Sequence, residues 1–313
     1  MPRWTTSDIP DQTGRTVLVT GATSGLGLRS AEALAGKGAC VLLAGRNPVK
    51  LATALEKVRR VASGAAPEGV PLDLTDLGSV RAAAEEVGDR DERLDVLMNN
   101  AGVMAVPKGV TTDGFESQLG TNHLGHFALT ARLLPLLLRA PAPRVVTTSS
   151  VAHRTGRMRW DDLQWDRARY SRWGAYGQSK LANLLFAFEL DRRAGRAGAA
   201  LCSVAAHPGY AATHLQSVGP ELEGNKVTAA FFAVANRVVA QSDAQGALSQ
   251  LRAATMPDVR GGEYWGPDGP GEVRGNPKLV GASKAATDEA DAARLWDLSQ
   301  ELTGVAFDWP EPT

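Results

Sequence analysis

The sequence predicts an α/β fold: a doubly wound parallel sheet with helices on both faces. Three observations carry this. Short β-branched apolar runs alternate with longer amphipathic segments, the pattern of strands buried on both faces and joined by helical crossovers. The first apolar run stops at a glycine-rich turn that opens a helical segment. The 313 residues are 43% hydrophobic and show no second core, repeat or low-complexity linker, so one domain is expected over 1–313, with its core at about 14–304 and short tails.

The elements follow in order. "TVLVT" is the first strand and "RSAEALAGKG" a helix ending at Gly38. "CVLLAGR" is the second strand, and "PVKLATALEKVRRVA" a helix. "GVPLDLTD" is the third strand, "LGSVRAAAEEVG" a helix and "LDVLMNNAG" the fourth strand. One long helix is expected from about Gly114 to Leu138, then the strand "RVVTTSS", a helix opened by "WGAYGQSKLAN", and the strand "ALCSVAAHPG". "GGEYWGPDGPGEVRGNP" (Gly261 to Pro277) reads as a loop after the last strand. A final helix carries Leu295, Leu298 and Leu302 and stops at Gly304; residues 305–313 read as a frayed tail.

Composition excludes some functions. Thirty-four basic and 34 acidic residues leave no net charge, so the electrostatic footprint of a nucleic-acid binder is missing. The N-terminus lacks a signal-peptide core, and no run approaches the roughly 18 apolar residues that a membrane span needs. A soluble, cytoplasmic protein is expected. Cys40 and Cys202, each in a strand-like run, read as buried free thiols suited to a reducing compartment.

The turn "TGATSGLG" holds Gly21, Gly25 and Gly27 around Thr23, Ser24 and Leu26. Glycines there let backbone N–H groups approach a ligand, and the positive end of the following helix suits a pyrophosphate. In such a dinucleotide (Rossmann-type) fold the tip of the second strand faces the adenosine ribose. This tip carries Gly45 and Arg46 rather than an acid, and a guanidinium matches a 2′-phosphate, which favours NADP(H) over NAD(H). Asp73 is placed to reach the adenine, with Leu74 beside it, while Asp76 reads as a helix cap.

"TGATSGLG", "NNAG" (Asn99 to Gly102), "YGQSK" (Tyr176 to Lys180) and "HPGYAAT" (His207 to Thr213) occur in the order and spacing of the short-chain dehydrogenase/reductases, and the chain resembles that family from about Gly14 to Gly304. "TNHLGHFALT", "SSVAH" and "ARLWDLSQELTG" are similar to its retinol-dehydrogenase-like branch, which includes the WW-domain oxidoreductase and protochlorophyllide reductases. The resemblance implies that Tyr176, Lys180, Ser150 and Asn122 are catalytic, Ser150 being preferred to Ser149. It also implies that Asn99, Ala101 and Gly102 flank the adenosine ribose, and that Pro208, Gly209 and Thr213 hold the nicotinamide carboxamide. The family is usually dimeric or tetrameric.

The residue types fit the chemistry. Carbonyl reduction needs a hydride and a proton, and a phenol of pKa about 10 exchanges its proton reluctantly near neutrality. An ammonium one helical turn away, on Lys180, helped by the oxidised nicotinamide, is expected to favour the phenolate, and Lys180 also to bond the ribose hydroxyls. Ser150 would hold the substrate oxygen, and Asn122 would anchor a water that returns the proton through Lys180.

Between Ser150 and Tyr176 runs an insert longer than in many members, as in the retinol-dehydrogenase-like branch. Its Trp160, Trp165, Tyr170 and Trp173 either wall a lipophilic pocket or pack on their own domain. His153 reads as structural, and His123 and His126 as a pair with no third metal ligand in view. The apolar face of Lys226 to Ala240 reads as a substrate lid or as a core or dimer helix. The resulting expectation is an NADP(H)-dependent enzyme interconverting an alcohol and a carbonyl on a small lipophilic substrate. The alternatives are a conjugated C=C reductase of the same family and a catalytically silent NADP(H) sensor.

Overall fold

The structure, a computed structural model, describes residues 3–209 and 242–310. Its strands are β1 (Thr16–Thr20), β2 (Cys40–Gly45), β3 (Glu68–Pro71), β4 (Val96–Asn99), β5 (Arg144–Thr148), β6 (Cys202–Ala206), β7 (Tyr264–Pro267) and β8 (Pro277–Leu279). Among the described residues they form one sheet in the order β3-β2-β1-β4-β5-β6-β7-β8. All neighbours pair in parallel except β7 with β8. The expected doubly wound sheet is therefore the fold.

Helices cover both faces because side chains alternate along each strand. Val17, Val19, Val41 and Leu43 face α1 (Gly25–Ala35), α2 (Pro48–Arg59) and a helix at Asp243–Thr255. Leu18, Leu42, Leu97 and Val145 face the opposite way, toward α3 (Leu77–Arg90), α5 (Gly125–Leu137), α6 (Arg172–Arg196) and a helix at Glu289–Thr303. The last two helices are α7 (Asp243–Thr255) and α8 (Glu289–Thr303). The chain steps from β1 outward to β2 and β3, then returns to place β4 on the other side of β1. The turns after β1 and β4 thus diverge, and a crevice opens between them at the carboxyl ends of the strands.

Several expectations need correction. The long helix before β5 is a short α4 (Ser117–Leu119) and α5, joined by a π-turn at Gly120–Leu124 that contains Asn122. The glycine- and proline-rich segment expected as a loop contains β7 and ends on the first residue of β8, with a connection between them. α7 went unassigned from sequence. Residues 305–310 are not frayed: Phe307 is buried, its ring centroid 4.3 Å from that of Trp296, with Trp309 stacked on it. Cys40 and Cys202 are free, as expected, but only half-buried, because each begins its strand. Asp76 does cap α3, accepting from the Gly78 and Ser79 N–H groups. Thr213 and Lys226 to Ala240 lie outside the described residues. No described helix is long and apolar enough to cross a membrane.

Candidate active site

The crevice begins at the glycine turn. Gly21 and Gly25 take φ of +66° and +53°, a region open chiefly to glycine. A Cβ on Gly27 would lie 2.5 Å from Gly21 O and 2.6 Å from Asn100 Nδ2, so α1 can approach β1 this closely only with glycine there. Ser24 precedes α1 without a side-chain capping bond. No carbonyl within the helix reaches the first-turn N–H groups, which carry the positive end of the helix dipole. A cavity of about 320 Å³ opens there, lined by Gly21, Thr23, Ser24, Gly25, Leu26 and Gly27. Arg46, Asp73, Leu74, Ala101 and Gly102 complete the walls named from sequence. The cradle and its free donors fit a dinucleotide pyrophosphate.

At the adenosine end, Arg46 is well exposed, with Nη1 3.6 Å from Asp73 Oδ2. The other Asp73 oxygen accepts from Thr75 N and Oγ1 at 2.9 and 2.7 Å. Asn99 departs from expectation. As the last residue of β4 it points into the core, wholly buried, and donates to Thr130 Oγ1 at 2.9 Å. Asn100, just past the strand, lines the cavity instead. Its Nδ2 donates to Thr20 O at 2.7 Å, and Gln250 of α7 donates to its Oδ1 at 3.1 Å. Sequence reasoning missed both residues; the alternation of side chains along "LDVLMNN" was the available signal for Asn100.

A second cavity of about 230 Å³ shares Leu26, Asn100, Gly102 and Val103 with the first. Tyr176, Lys180, Ser150, Pro208 and Gly209 all line it. Tyr176 and Lys180 stand one turn apart on α6, with Lys180 Nζ 5.8 Å from the centre of the phenol ring. Lys180 Nζ donates to Thr148 O at 3.1 Å, and Ser149 Oγ donates to Lys180 O at 2.8 Å. Ser149 is thereby spent on the helix backbone, whereas the Ser150 hydroxyl faces the phenol.

Electrostatics correct one expectation. Burial pushes the Tyr176 phenol up to about 12, and of the surrounding side chains it is the Ser150 hydroxyl that pulls back. This burial outweighs any pull from Lys180, whose ammonium it also draws down to about 8. The chain's own groups therefore keep Tyr176 protonated at neutral pH, the form that donates.

Asn122 is wholly buried behind the cavity wall. Its Nδ2 donates to Val103 O and Ser179 Oγ, both at 2.9 Å, and its Oδ1 accepts from Val103 N at 2.8 Å. Both amide protons are used, so the side chain braces the Gly102–Val103 wall against α6 rather than offering a donor to water. The π-turn widens the helix at this residue, where functional sites often have one.

In the insert, Trp173 lines the reaction cavity, half exposed. Trp165 is buried against Tyr170, and Trp160 lies under Arg294. His153 is structural, with Nδ1 2.6 Å from Ser150 O and Nε2 accepting from Ser283 N. His123 contacts Ser299, and His126 contacts Thr20 and Asn122 O.

Comparison with known proteins agrees. Residues 15–221 match the family described as short chain dehydrogenase. Retinol dehydrogenase 12 of Mus musculus is 37% identical over 297 residues, covering 94% of this chain and 88% of that protein. The crystal structure of an uncharacterized protein from Mycobacterium paratuberculosis superposes with TM-score 0.80 at 44% identity, covering 98% and 99% of the two chains. A protein of Shigella flexneri 2a strain 301, described as a short chain dehydrogenase and complexed with NADP, gives TM-score 0.61 at 25% identity, over 81% and 96%. The chain belongs to the short chain dehydrogenase family and is an oxidoreductase of that family.

Proposed function

We propose that the protein is an NADP(H)-dependent enzyme of the retinol-dehydrogenase-like branch that interconverts an alcohol and a carbonyl on a small lipophilic substrate. One observation carries this reading: a phenol, a hydroxyl and an ammonium line one cavity that shares Leu26, Asn100, Gly102 and Val103 with the glycine cradle. The Shigella relative's NADP and the 2′-phosphate match of Arg46 support the cofactor. Retinol dehydrogenase 12 and the half-exposed Trp173 at the cavity support a lipophilic substrate.

The first-turn N–H groups of α1 hold the pyrophosphate, and Arg46, released from Asp73, takes the 2′-phosphate. Bound NADPH supplies the hydride for the carbonyl carbon. Ser150 donates a hydrogen bond to the carbonyl oxygen and holds it beside Tyr176. Tyr176 gives its proton to that oxygen as negative charge develops there. Lys180, one helical turn away, stabilises the resulting phenolate. Asn122 keeps Gly102–Val103 and α6 in register around this chemistry.

The test is NADPH oxidation followed by absorbance with a panel of lipophilic ketones, aldehydes and enones. Turnover of ketones or aldehydes supports the reading; turnover of enones alone at their C=C bond replaces it with the C=C reductase. Tyr176→Phe is expected to lower kcat by a factor of about 10² to 10⁴ while leaving NADPH binding intact. Arg46→Ala is expected to weaken NADPH about tenfold or more and NADH little. Binding of NADPH without turnover of any substrate would favour the sensor reading.

A further inference from the structure

The corner carrying Pro208 and Gly209 is held by side chains that the chemistry above does not use. His207, directly after β6, is buried, and its Nδ1 accepts from Gly209 N at 3.2 Å, which leaves its proton on Nε2. That Nε2 lies 3.1 Å from Glu272 Oε2. The two atoms touch off the line of a hydrogen bond, and neither has an aligned partner among the described residues. The other Glu272 oxygen accepts from Arg154 Nη2 at 2.8 Å, and the same nitrogen donates to Gly281 O at 2.9 Å. Arg154 closes the short helical turn that starts at Ser150. Three side chains thus run from the Ser150 side of the reaction cavity to its Gly209 side.

Two further features converge on Glu272. It is a non-glycine residue with φ of +57°, next to Gly271 at +61°, in the connection between β7 and β8. Such backbone persists where its surroundings enforce it, and it clusters at working sites. The connection also presses on the corner: a Cβ on Gly209 would lie 2.4 Å from Val273 O, and one on Gly266 would lie 2.0 Å from His207 Nε2. Movement of Glu272 therefore passes directly to the Pro208–Gly209 backbone.

We propose that Glu272 is a positioning residue that, through Arg154 and His207, sets the separation of Ser150 from Pro208–Gly209 and hence the seat of the nicotinamide ring. Glu272 itself lines neither cavity. The inference rests on reading the crevice as the dinucleotide site, and the experiment separates the two. Dissociation constants are measured calorimetrically for NADPH and for 2′-phospho-ADP-ribose, which keeps the adenosine half and lacks the nicotinamide. Glu272→Ala is expected to weaken NADPH about tenfold and the fragment less than about twofold. Glu272→Gln keeps the side-chain length and the acceptor for Arg154 but turns an amide N–H toward the His207 Nε2–H, and is expected to recover part of the NADPH affinity.

Arg154→Ala removes the partly exposed end of the same tie and must give the same split, whether or not Glu272→Ala folds. Equal weakening of both ligands, or no weakening of NADPH in Arg154→Ala, overturns the inference and leaves the dinucleotide reading standing. Wild-type protein that binds neither ligand overturns both.

Discussion

Burial moves the two ionisable side chains of the reaction cavity in opposite directions, Tyr176 up to about 12 and Lys180 down to about 8. The lysine therefore changes charge at the edge of the physiological range, while the phenol stays protonated. Carbonyl reduction is expected to slow as pH rises through about 8, because deprotonated Lys180 no longer stabilises the phenolate. Lys180→Arg, whose guanidinium stays charged to about pH 12 and beyond, should move that limb of the kcat/KM profile upward. A limb that stays in place would assign it to another group. The catalytic residue types and their spacing were legible in the sequence, but this balance was not. It depends on how completely α6 and β5 exclude water, which no motif records. Asn99 and Asn100 make the same point: the motif marks the turn, and the pleat of β4 decides which amide faces the cavity.

Among the elements, most of those with clean periodicity were read correctly, α7 excepted, whereas the strands broken by glycine and proline after β6 were not. β7 and β8 hide in "YWGP" and "PKL", runs too short and too broken to signal strands, yet they finish the sheet and carry the connection that holds Glu272. The segment after α8 has neither helical nor strand periodicity. Its aromatics were the neglected signal, since Phe307 meets Phe127, Phe186 and Trp296 at ring distances of 5.2, 6.4 and 4.3 Å. Phe307→Ala is expected to cost about 3–5 kcal/mol by urea unfolding, the range for truncating a buried phenylalanine. A cost near zero would mean that this segment contributes nothing to the core.

For the molecule as a whole, four histidines are buried among the described residues, His123, His126, His153 and His207, and burial lowers the pKa of each. Burial lowers His123 and His207 to about 3 and His126 to about 4, against about 6.5 in the unfolded chain. Between about pH 4 and 6.5 the unfolded chain binds more protons, so their contribution is complete above pH 6.5 and is lost on acidification. Each of these three should contribute a slope on the order of 1 kcal/mol per pH unit in that window. Urea unfolding at pH 7 and pH 5 reads it directly; equal stabilities at the two values would contradict the uncharged burial.

The two outermost strands of the sheet have a further consequence. β3 brings Glu68 and Pro71 to one rim, and β8 brings Pro277 and Lys278 to the other. Both strands are short, and each carries a charge and an imide that cannot donate. A strand from a neighbouring molecule would have to desolvate a charge and would meet a gap in the ladder, so among the described residues neither border of the sheet is a ready template for fibrous aggregation.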